Sequence, residues 1–193
     1  FPMIAGIDFA GTVEQSSHPQ WKAGDKVVCN GWGMGETHLG GYAEKARVKG
    51  DWLVRLPENI STRDAMAIGT AGYTAMLSVL ALEKHGLTPN SGPIVVTGAA
   101  GGVGSIAGRI AKREGATVIG IAGAPEKCAW VVDELGFDAC IDYKREDVAA
   151  RLKELAPKGV DIFFDNVGGE LLDTVLRRLA LKARVVLCGD IST

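Results

Sequence analysis

The second half of the chain alternates between short apolar runs and stretches in which apolar residues recur at helical spacing. Residues 93–97 are apolar and rich in β-branched side chains, which predicts a buried strand. Apolar residues at 103, 106, 107 and 110 then follow the i, i+3, i+4, i+7 spacing of a helix. Further strands are predicted at 117–121, 139–141, 160–164 and 184–187, with helices at 125–135, 148–155 and 171–179. Strands that alternate with helices predict βαβ units and a parallel, doubly wound sheet.

The first 57 residues have a different pattern, in which short runs of alternating polarity are separated by turns. Strands are predicted at 7–13, 26–29, 42–48 and 53–56, and a loop at 31–41, which contains five glycines. Ser61 and Asp64 then predict the start of a helix that ends near Gly86. We therefore expect a β-rich domain over 1–60, connecting helices over 61–90 and a nucleotide-binding domain over 91–193.

A glycine cluster joins the strand at 93–97 to the helix that follows it. Strand, glycine turn and helix form the first unit of a dinucleotide-binding fold, where backbone approaches a pyrophosphate and the helix N-terminus offers free N–H groups. The sequence departs from G-x-G-x-x-G, because Ala99 replaces the first glycine and Gly98 precedes it. A turn that only packs the helix against the strand is the alternative interpretation. The turn residues predicted to bind the cofactor are Ala100, Gly101, Gly102, Val103 and Gly104.

Composition excludes several classes of protein. The chain has 193 residues and a net charge of −2, with no basic excess that would indicate nucleic-acid binding. Its uninterrupted apolar stretches fall short of the ~18 residues that a membrane span needs, so no membrane association is expected. The four cysteines have no CxxC spacing and are expected to be reduced thiols of a cytoplasmic protein. They are Cys29, Cys128, Cys140 and Cys188.

Five motifs resemble one family. They are Gly-Ile-Asp-Phe-Ala-Gly at 6–11, Ala-Gly-Asp-Lys-Val at 23–27, Gly-Thr-Ala-Gly-Tyr-Thr-Ala at 69–75, the glycine turn, and Phe-Asp-Asn-Val-Gly-Gly at 164–169. On these motifs the chain resembles the medium-chain dehydrogenase/reductase superfamily, in its zinc-independent quinone-oxidoreductase and double-bond-reductase branch. Residues up to about 104 resemble acrylyl-CoA reductases most, and residues from 109 onward resemble NADP-dependent alkenal and prostaglandin reductases.

The resemblance implies a partial GroES-like β domain followed by a Rossmann domain, and an NADP(H)-dependent reduction of activated C=C bonds or quinones without zinc. The implied partner is a small molecule, namely an enal, enone, acyl-CoA thioester or quinone, and the full-length protein is expected to be a homodimer. Relative to the family pattern, we expect the chain to lack an N-terminal portion, the sixth nucleotide-domain strand and a C-terminal tail. A non-enzymatic NADP-binding protein and an inactive fragment are the alternatives.

Residues outside the glycine turn are predicted to select and hold the cofactor. The position about 20 residues past the turn, where an acidic side chain binds the ribose of NAD, is Gly123. Lys127 in the next helix is expected to supply positive charge for a 2′-phosphate. By resemblance, Tyr143 reaches the same phosphate and Asn166 contacts the cofactor. The resemblance likewise places Thr74, Cys188 and Gly189 at the cofactor, the last two around the nicotinamide.

Metal ligands and a proton donor are not evident in the sequence. The zinc-dependent relatives carry Gly-His-Glu where this chain has Gly6-Ile7-Asp8, and isoleucine has no lone pair for a metal. The three histidines are isolated in sequence, so no metal site is predicted. Tyr42 lies near the expected cleft, but the pattern favours a tyrosine packed in a strand. The catalytic residue therefore stays unassigned.

Overall fold

The computed structural model describes residues 2–88 and 91–192, which form two compact units with their boundary between Tyr73 and Thr74. The first unit contains a three-stranded antiparallel sheet in the order β1-β2-β3. Its strands are β1 (Asp8–Thr12), β2 (Lys26–Asn30) and β3 (Val54–Arg55). In β2, Val27 and Cys29 are buried while Lys26 is exposed, so alternate side chains enter the core.

The strand predicted at 42–48 is wrong, because no strand or helix forms there. Residues 42–47 are all exposed, and only Val48 is partly buried. A strand needs an apolar face to bury against a neighbour, and this segment has none. The expectation of a packed strand tyrosine is wrong as well, since Tyr42 is 80% exposed.

Helix α1 (Thr62–Lys84) begins as predicted, with Ser61 at its N-cap. The Ser61 hydroxyl accepts a hydrogen bond from the Asp64 amide at 3.0 Å. The backbone leaves the helical region at Gly69, where φ is 52° and ψ is −162°, so two helical segments meet at a kink.

The sequence predicted no segment long and apolar enough to span a membrane, but helix α1 meets that criterion by length and composition. The 23 residues of α1 pass that test, with a mean hydropathy of 1.6 and only 28% of the best window buried. Glycine, threonine and serine interrupt the apolar runs without adding charge, which is why a count of uninterrupted apolar residues missed it. The kink at Gly69 leaves 15 residues, 70–84, in the longer segment. That segment spans about 22 Å, less than the ~30 Å of a hydrocarbon core.

The second unit is a five-stranded parallel sheet in the order β6-β5-β4-β7-β8, with helices between the strands. This confirms the predicted doubly wound α/β class. Its elements are β4 (Ile94–Thr97), α2 (Gly102–Arg113), β5 (Val118–Ala122), α3 (Pro125–Asp133), β6 (Ala139–Asp142), α4 (Val148–Leu155), β7 (Val160–Asp165), α5 (Gly169–Leu176) and β8 (Leu179–Leu187).

The chain order reverses between β4 and β7, because β5 and β6 extend the sheet to one side while β7 and β8 extend it to the other. Two apolar clusters occupy the two faces of this sheet, and its central strands are buried on both. In an open α/β sheet, the switch point forms a crevice at the carboxyl ends of the strands. The ends of β4 and β7 are therefore where a ligand cleft is expected.

The end of the sheet differs from the prediction. Helix α5 stops at Leu176, where the pattern predicted helix to residue 179, and β8 begins at Leu179 rather than at 184. The pairing of β7 with β8 shifts register between Val160 and Ile162, and Lys182 has a φ of 64°. A bulge inserts unpaired residues into a strand and breaks its alternation, so the first half of β8 has no clear strand pattern in sequence.

Candidate nucleotide-binding site

A cleft of about 1360 Å³ opens at the carboxyl ends of β4, β5 and β7 and at the loop after β8. All twelve residues predicted from the sequence to contact a cofactor line this one cleft. They are Thr74, Ala100, Gly101, Gly102, Val103, Gly104, Gly123, Lys127, Tyr143, Asn166, Cys188 and Gly189. Each of them belongs to the second unit, so the cleft is a feature of that unit alone.

The glycine turn brings the start of α2 against the end of β4. Gly98 has a φ of 60°, and the Gly101 amide donates to its carbonyl at 2.8 Å. A Cβ on Gly104 would lie 2.4 Å from the Gly98 carbonyl oxygen, so packing alone requires glycine there. Helix α2 begins at Gly102, and the first-turn N–H groups of a helix have no partner within the helix. The amides of residues 102–104 can therefore donate to an anion in the cleft.

The loop after β7 is held in place by a buried carboxylate. Asp165 is 1% exposed, and it accepts hydrogen bonds from the Thr97 hydroxyl at 2.6 Å and the Gly168 amide at 3.0 Å. Asn166 donates from its side-chain amide to the Thr97 carbonyl at 2.8 Å. Four hydrogen-bonded positions thus fix the end of β7 relative to the end of β4, which sets where Asn166 enters the cleft.

Gly123 leaves room for the aromatic ring of Tyr143. A Cβ at Gly123 would lie 2.5 Å from Cε1 of Tyr143, so the tyrosine ring occupies the space that a side chain would need. Lys127 and Lys144 are the only cationic side chains that line the cleft among the described residues. Lys144 Nζ lies 6.0 Å from the Tyr143 ring centroid.

Lys144 is a residue that the sequence reasoning missed. Its signal was a basic residue directly after Tyr143, where β6 ends at the ligand edge of the sheet. The cleft also contains two carboxylates, Asp147 and Glu170, so its charge is not uniformly positive. Asp147 caps α4 by accepting from the Ala150 amide at 3.1 Å, and its charge is therefore partly engaged.

Cys188 lines the cleft as a neutral thiol. Burial raises its pKa, and the negative charge of Asp165 raises it further, while a hydrogen bond with Ser78 lowers it. The Cys188 amide donates to the Asp165 carbonyl at 2.8 Å, so the loop after β8 is tied to the loop after β7. This side chain therefore offers the cleft polarisable surface rather than a thiolate nucleophile at neutral pH.

The first unit contains a partly buried carboxylate, Asp8, in the motif where the family resemblance placed zinc ligands. The Asp8 carboxylate accepts from the Thr70 hydroxyl at 2.6 Å, the Thr70 amide at 2.9 Å and the Asn30 side-chain amide at 2.8 Å. Within residues 2–88 and 91–192, no three His, Cys, Asp or Glu side chains are grouped so as to hold a metal ion. Asp8 thus has a structural role at the kink of α1.

The geometry of the second unit is that of a dinucleotide-binding α/β fold, since a glycine turn and a helix N-terminus line the cleft at its switch point. Family comparison identifies both parts of the chain. Residues 1–58 match the alcohol dehydrogenase GroES-like domain, and residues 102–192 match a domain described as zinc-binding dehydrogenase. Together these two matches cover 149 of the 193 residues, although neither alone covers half, and they support the resemblance of the chain to the medium-chain dehydrogenase/reductase superfamily.

Similar proteins match over nearly the whole chain. The acrylyl-CoA reductase of Ruegeria pomeroyi is 48% identical over 192 residues, which are 98% of this chain and 57% of that protein. The YhdH protein of Escherichia coli K-12, solved with bound NADPH, has a TM-score of 0.85 at 44% identity, covering 96% of this chain and 56% of that one. The YhfP protein of Bacillus subtilis, solved with NAD bound, has a TM-score of 0.84 at 39% identity, covering 98% and 57%. This chain therefore spans a little over half the length of these relatives.

Proposed function

We propose that this chain is the cofactor-holding part of an NADPH-dependent reductase that acts on activated C=C bonds or quinones. The observation that carries the proposal is the single cleft that combines the glycine turn with Lys127 and Lys144. Its volume of about 1360 Å³ accommodates an extended dinucleotide. The solved relative with bound NADPH and the relative named acrylyl-CoA reductase support the same assignment.

The residues present fit a dinucleotide along the cleft. The amides of 102–104 would hold the pyrophosphate, while Lys127, Tyr143 and Lys144 would surround the 2′-phosphate of the adenosine ribose. Thr74, Asn166, Cys188 and Gly189 would line the nicotinamide end. When bound there, NADPH supplies the hydride.

The chain's own contribution to chemistry is positioning. Asp165 holds the loop of Asn166, and the hydrogen bond from the Cys188 amide holds the loop after β8, so both sides of the nicotinamide end are fixed before binding. A substrate carbonyl would be polarised by backbone N–H donors or cofactor hydroxyls, because the lining contains no histidine or metal cluster among its described residues. The proton donor for the product enolate stays unassigned.

Two experiments test this function. Titration of the chain with NADPH and NADH, followed by fluorescence, should show tighter binding of NADPH. Assays of the full-length protein should then show NADPH oxidation with an enone, an acrylyl thioester or a quinone. Failure to bind either dinucleotide would refute the proposal, whereas binding without turnover by the full-length protein would support the alternative of a non-enzymatic NADP-binding protein.

Location and assembly are part of the same proposal. All four cysteines are free thiols, which favours the reducing cytoplasm. Strand β8 pairs only with β7 among the described residues, so its outer edge can accept a further strand. We expect the full-length protein to cover this edge and to form a homodimer, as analytical ultracentrifugation of that protein would show.

A further inference from the structure

An exposed aromatic cluster lies in the first unit and belongs to no part of the nucleotide cleft. Trp32 stacks on Trp52 with ring centroids 5.9 Å apart and an angle of 8° between the ring planes. The edge of His38 meets Trp52 at 5.0 Å, and Lys49 Nζ lies 5.4 Å from the centroid of the same ring. We call these four residues, Trp32, His38, Lys49 and Trp52, the tryptophan platform.

The backbone at Trp32 is strained although its side chain is mostly exposed. Trp32 has a φ of 59°, between Gly31 at 76° and Gly33 at 73°, and its side chain is 60% exposed. Bulky residues rarely adopt this left-handed conformation, and where they do the strain often marks a functional site. Burial does not explain the residue, because most of the indole surface faces solvent.

The loop that carries Trp32 is anchored on both sides of the strain. The Gly31 amide donates to the Ile7 carbonyl at 2.9 Å. Met34 is completely buried, and the Cys29 thiol contacts its sulfur at 3.4 Å. These anchors keep the loop from relaxing, so Trp32 is held outward.

The Trp52 ring of the platform has a rigid support. Trp52 ends the short 3-10 turn Gly50–Trp52. The Trp21 indole N–H donates to the Gly50 carbonyl at 2.8 Å, and His18 pairs with Asp51 at 3.0 Å. The turn is therefore fixed from two directions, which presents the stacked indoles as a pre-ordered surface.

The platform contains one cation, Lys49, whose Nζ lies over the Trp52 ring. Arg47 and Lys49 alternate in the segment leading to the turn, and neither forms an ion pair within residues 2–88 and 91–192. Two carboxylates lie in the same segments: Asp51 contacts His18 at 3.0 Å, and Glu36 of the Trp32 loop forms no ion pair within the described residues. A flat aromatic ring that carries phosphate groups matches this combination of indole face and free cations.

We propose that the tryptophan platform binds the 3′-phosphoadenosine end of an acyl-CoA thioester, with adenine stacked on Trp32 and its phosphates near Lys49 and Arg47. The inference rests on the proposed function, since it assigns the acyl-CoA class to a reductase whose substrate could also be an enal or a quinone. The site deepens that function by giving substrate recognition a place in the first unit.

The test is titration of the whole chain with free coenzyme A at saturating NADPH, which blocks the nucleotide cleft. Trp32→Gly should weaken coenzyme A binding about 5- to 150-fold, the range expected for loss of one base-stacking contact. Lys49→Gln should weaken it several-fold and flatten its dependence on salt concentration. Trp130→Ala and Lys153→Gln, which change exposed residues of the second unit outside the cleft, are the matched controls and should leave it unchanged.

Stability and NADPH binding separate this role from a packing role. Glycine adopts the conformation of residue 32 without strain, so Trp32→Gly should keep its melting temperature and its NADPH affinity. A large drop in melting temperature would make Trp32 a packing residue and overturn the proposal. Coenzyme A that fails to bind, or binds equally to Trp32→Gly, would also overturn it while leaving the reductase proposal intact. Loss of NADPH binding by the unmodified chain would instead refute the reductase.

Discussion

Lys127 and Lys144 are the cationic side chains that line the cleft among the described residues, and the proposed function places them at the adenosine end of the cofactor. Lys127 is exposed on the first turns of α3, whereas Lys144 lies next to the Tyr143 ring. The solved structures of similar proteins include one with NADPH and one with NAD, two cofactors that differ by the 2′-phosphate. Under the proposed function, charge at these two positions is expected to favour a 2′-phosphate over a free hydroxyl.

Substituting the lysines should therefore separate the two cofactors. Lys127→Ala should weaken the affinity for NADPH about 10- to 100-fold and hardly change the affinity for NADH. A hydrogen bond to a charged group contributes ~1.5–3 kcal/mol before screening by salt. Lys144→Ala should weaken NADPH binding less, since the Lys144 ammonium already interacts with the Tyr143 ring. Fluorescence titration of both variants and of the control Lys153→Ala measures this. Equal weakening of both cofactors would make Lys127 a general surface charge.

Gly123→Asp is a less direct test than the sequence alone indicates. An acidic residue there would repel a phosphate, but its Cβ would also meet the Tyr143 ring at 2.5 Å. Any loss of NADPH affinity would then combine repulsion with displacement of the tyrosine. The sequence predicted that Gly123 faces the cofactor, but the space around it depends on Tyr143, which lies 20 positions later in the chain.

At the level of elements, the kink of α1 depends on a contact between distant parts of the first unit. The segment after Gly69 begins with Thr70, whose amide donates to Asp8 in β1 at 2.9 Å. A carboxylate at a helix start satisfies a free N–H and interacts favourably with the helix dipole. Asp8 thus acts as an N-cap supplied from 62 residues away along the chain.

Removal of this cap should destabilise the chain. Asp8→Ala leaves the Thr70 amide and the Asn30 side chain without their acceptor, so the free energy of unfolding should fall by about 1–3 kcal/mol. Urea unfolding followed by circular dichroism measures the change. Asp133→Ala, at an exposed position at the end of α3, should change it by less than about 0.5 kcal/mol. A similar small effect for Asp8→Ala would contradict the capping role.

Elements with uniform patterns could be predicted, and those shaped by distant contacts could not. Apolar, β-branched runs between glycine turns predict the buried strands β4, β5 and β7. The kink at Gly69 and the early start of β8 follow from a carboxylate in another strand and from a register shift. Neither leaves a periodic signal. The left-handed Trp32 is equally hidden, because only its flanking glycines hint at an unusual turn.

At the level of the whole molecule, the chemistry is expected to run without metal. The family resemblance places Ile7 at the position of a zinc-ligand histidine, and the neighbouring Asp8 carboxylate accepts three hydrogen bonds. NADPH oxidation by the full-length protein should therefore survive dialysis against a strong chelator. Metal analysis by mass spectrometry before and after dialysis is the control, and loss of activity that zinc alone restores would contradict the prediction.

The candidate site was more accessible to sequence reasoning than its supports were. The cleft residues could be named because strand ends and glycine turns indicate the ligand edge of a parallel sheet. Lys144 was missed because a charged residue after a strand is common, and only its closeness to Tyr143 distinguishes it. The Asp165 network joins residues 68 and 69 positions apart, so its function as a support appears only in the folded chain.

The confinement of the nucleotide cleft to the second unit has an evolutionary consequence. The residues that line it lie between Thr74 and Ser192 in the described part of the chain, so a genetic crossover at the middle of α1 would exchange the first unit without altering any of these residues. If the cleft holds the cofactor and the tryptophan platform binds substrate, as proposed above, descendants of such an event would inherit their coenzyme from one parent and their substrate preference from the other. New substrates could then be acquired by recombination, with no period in which the protein had lost its source of reducing power.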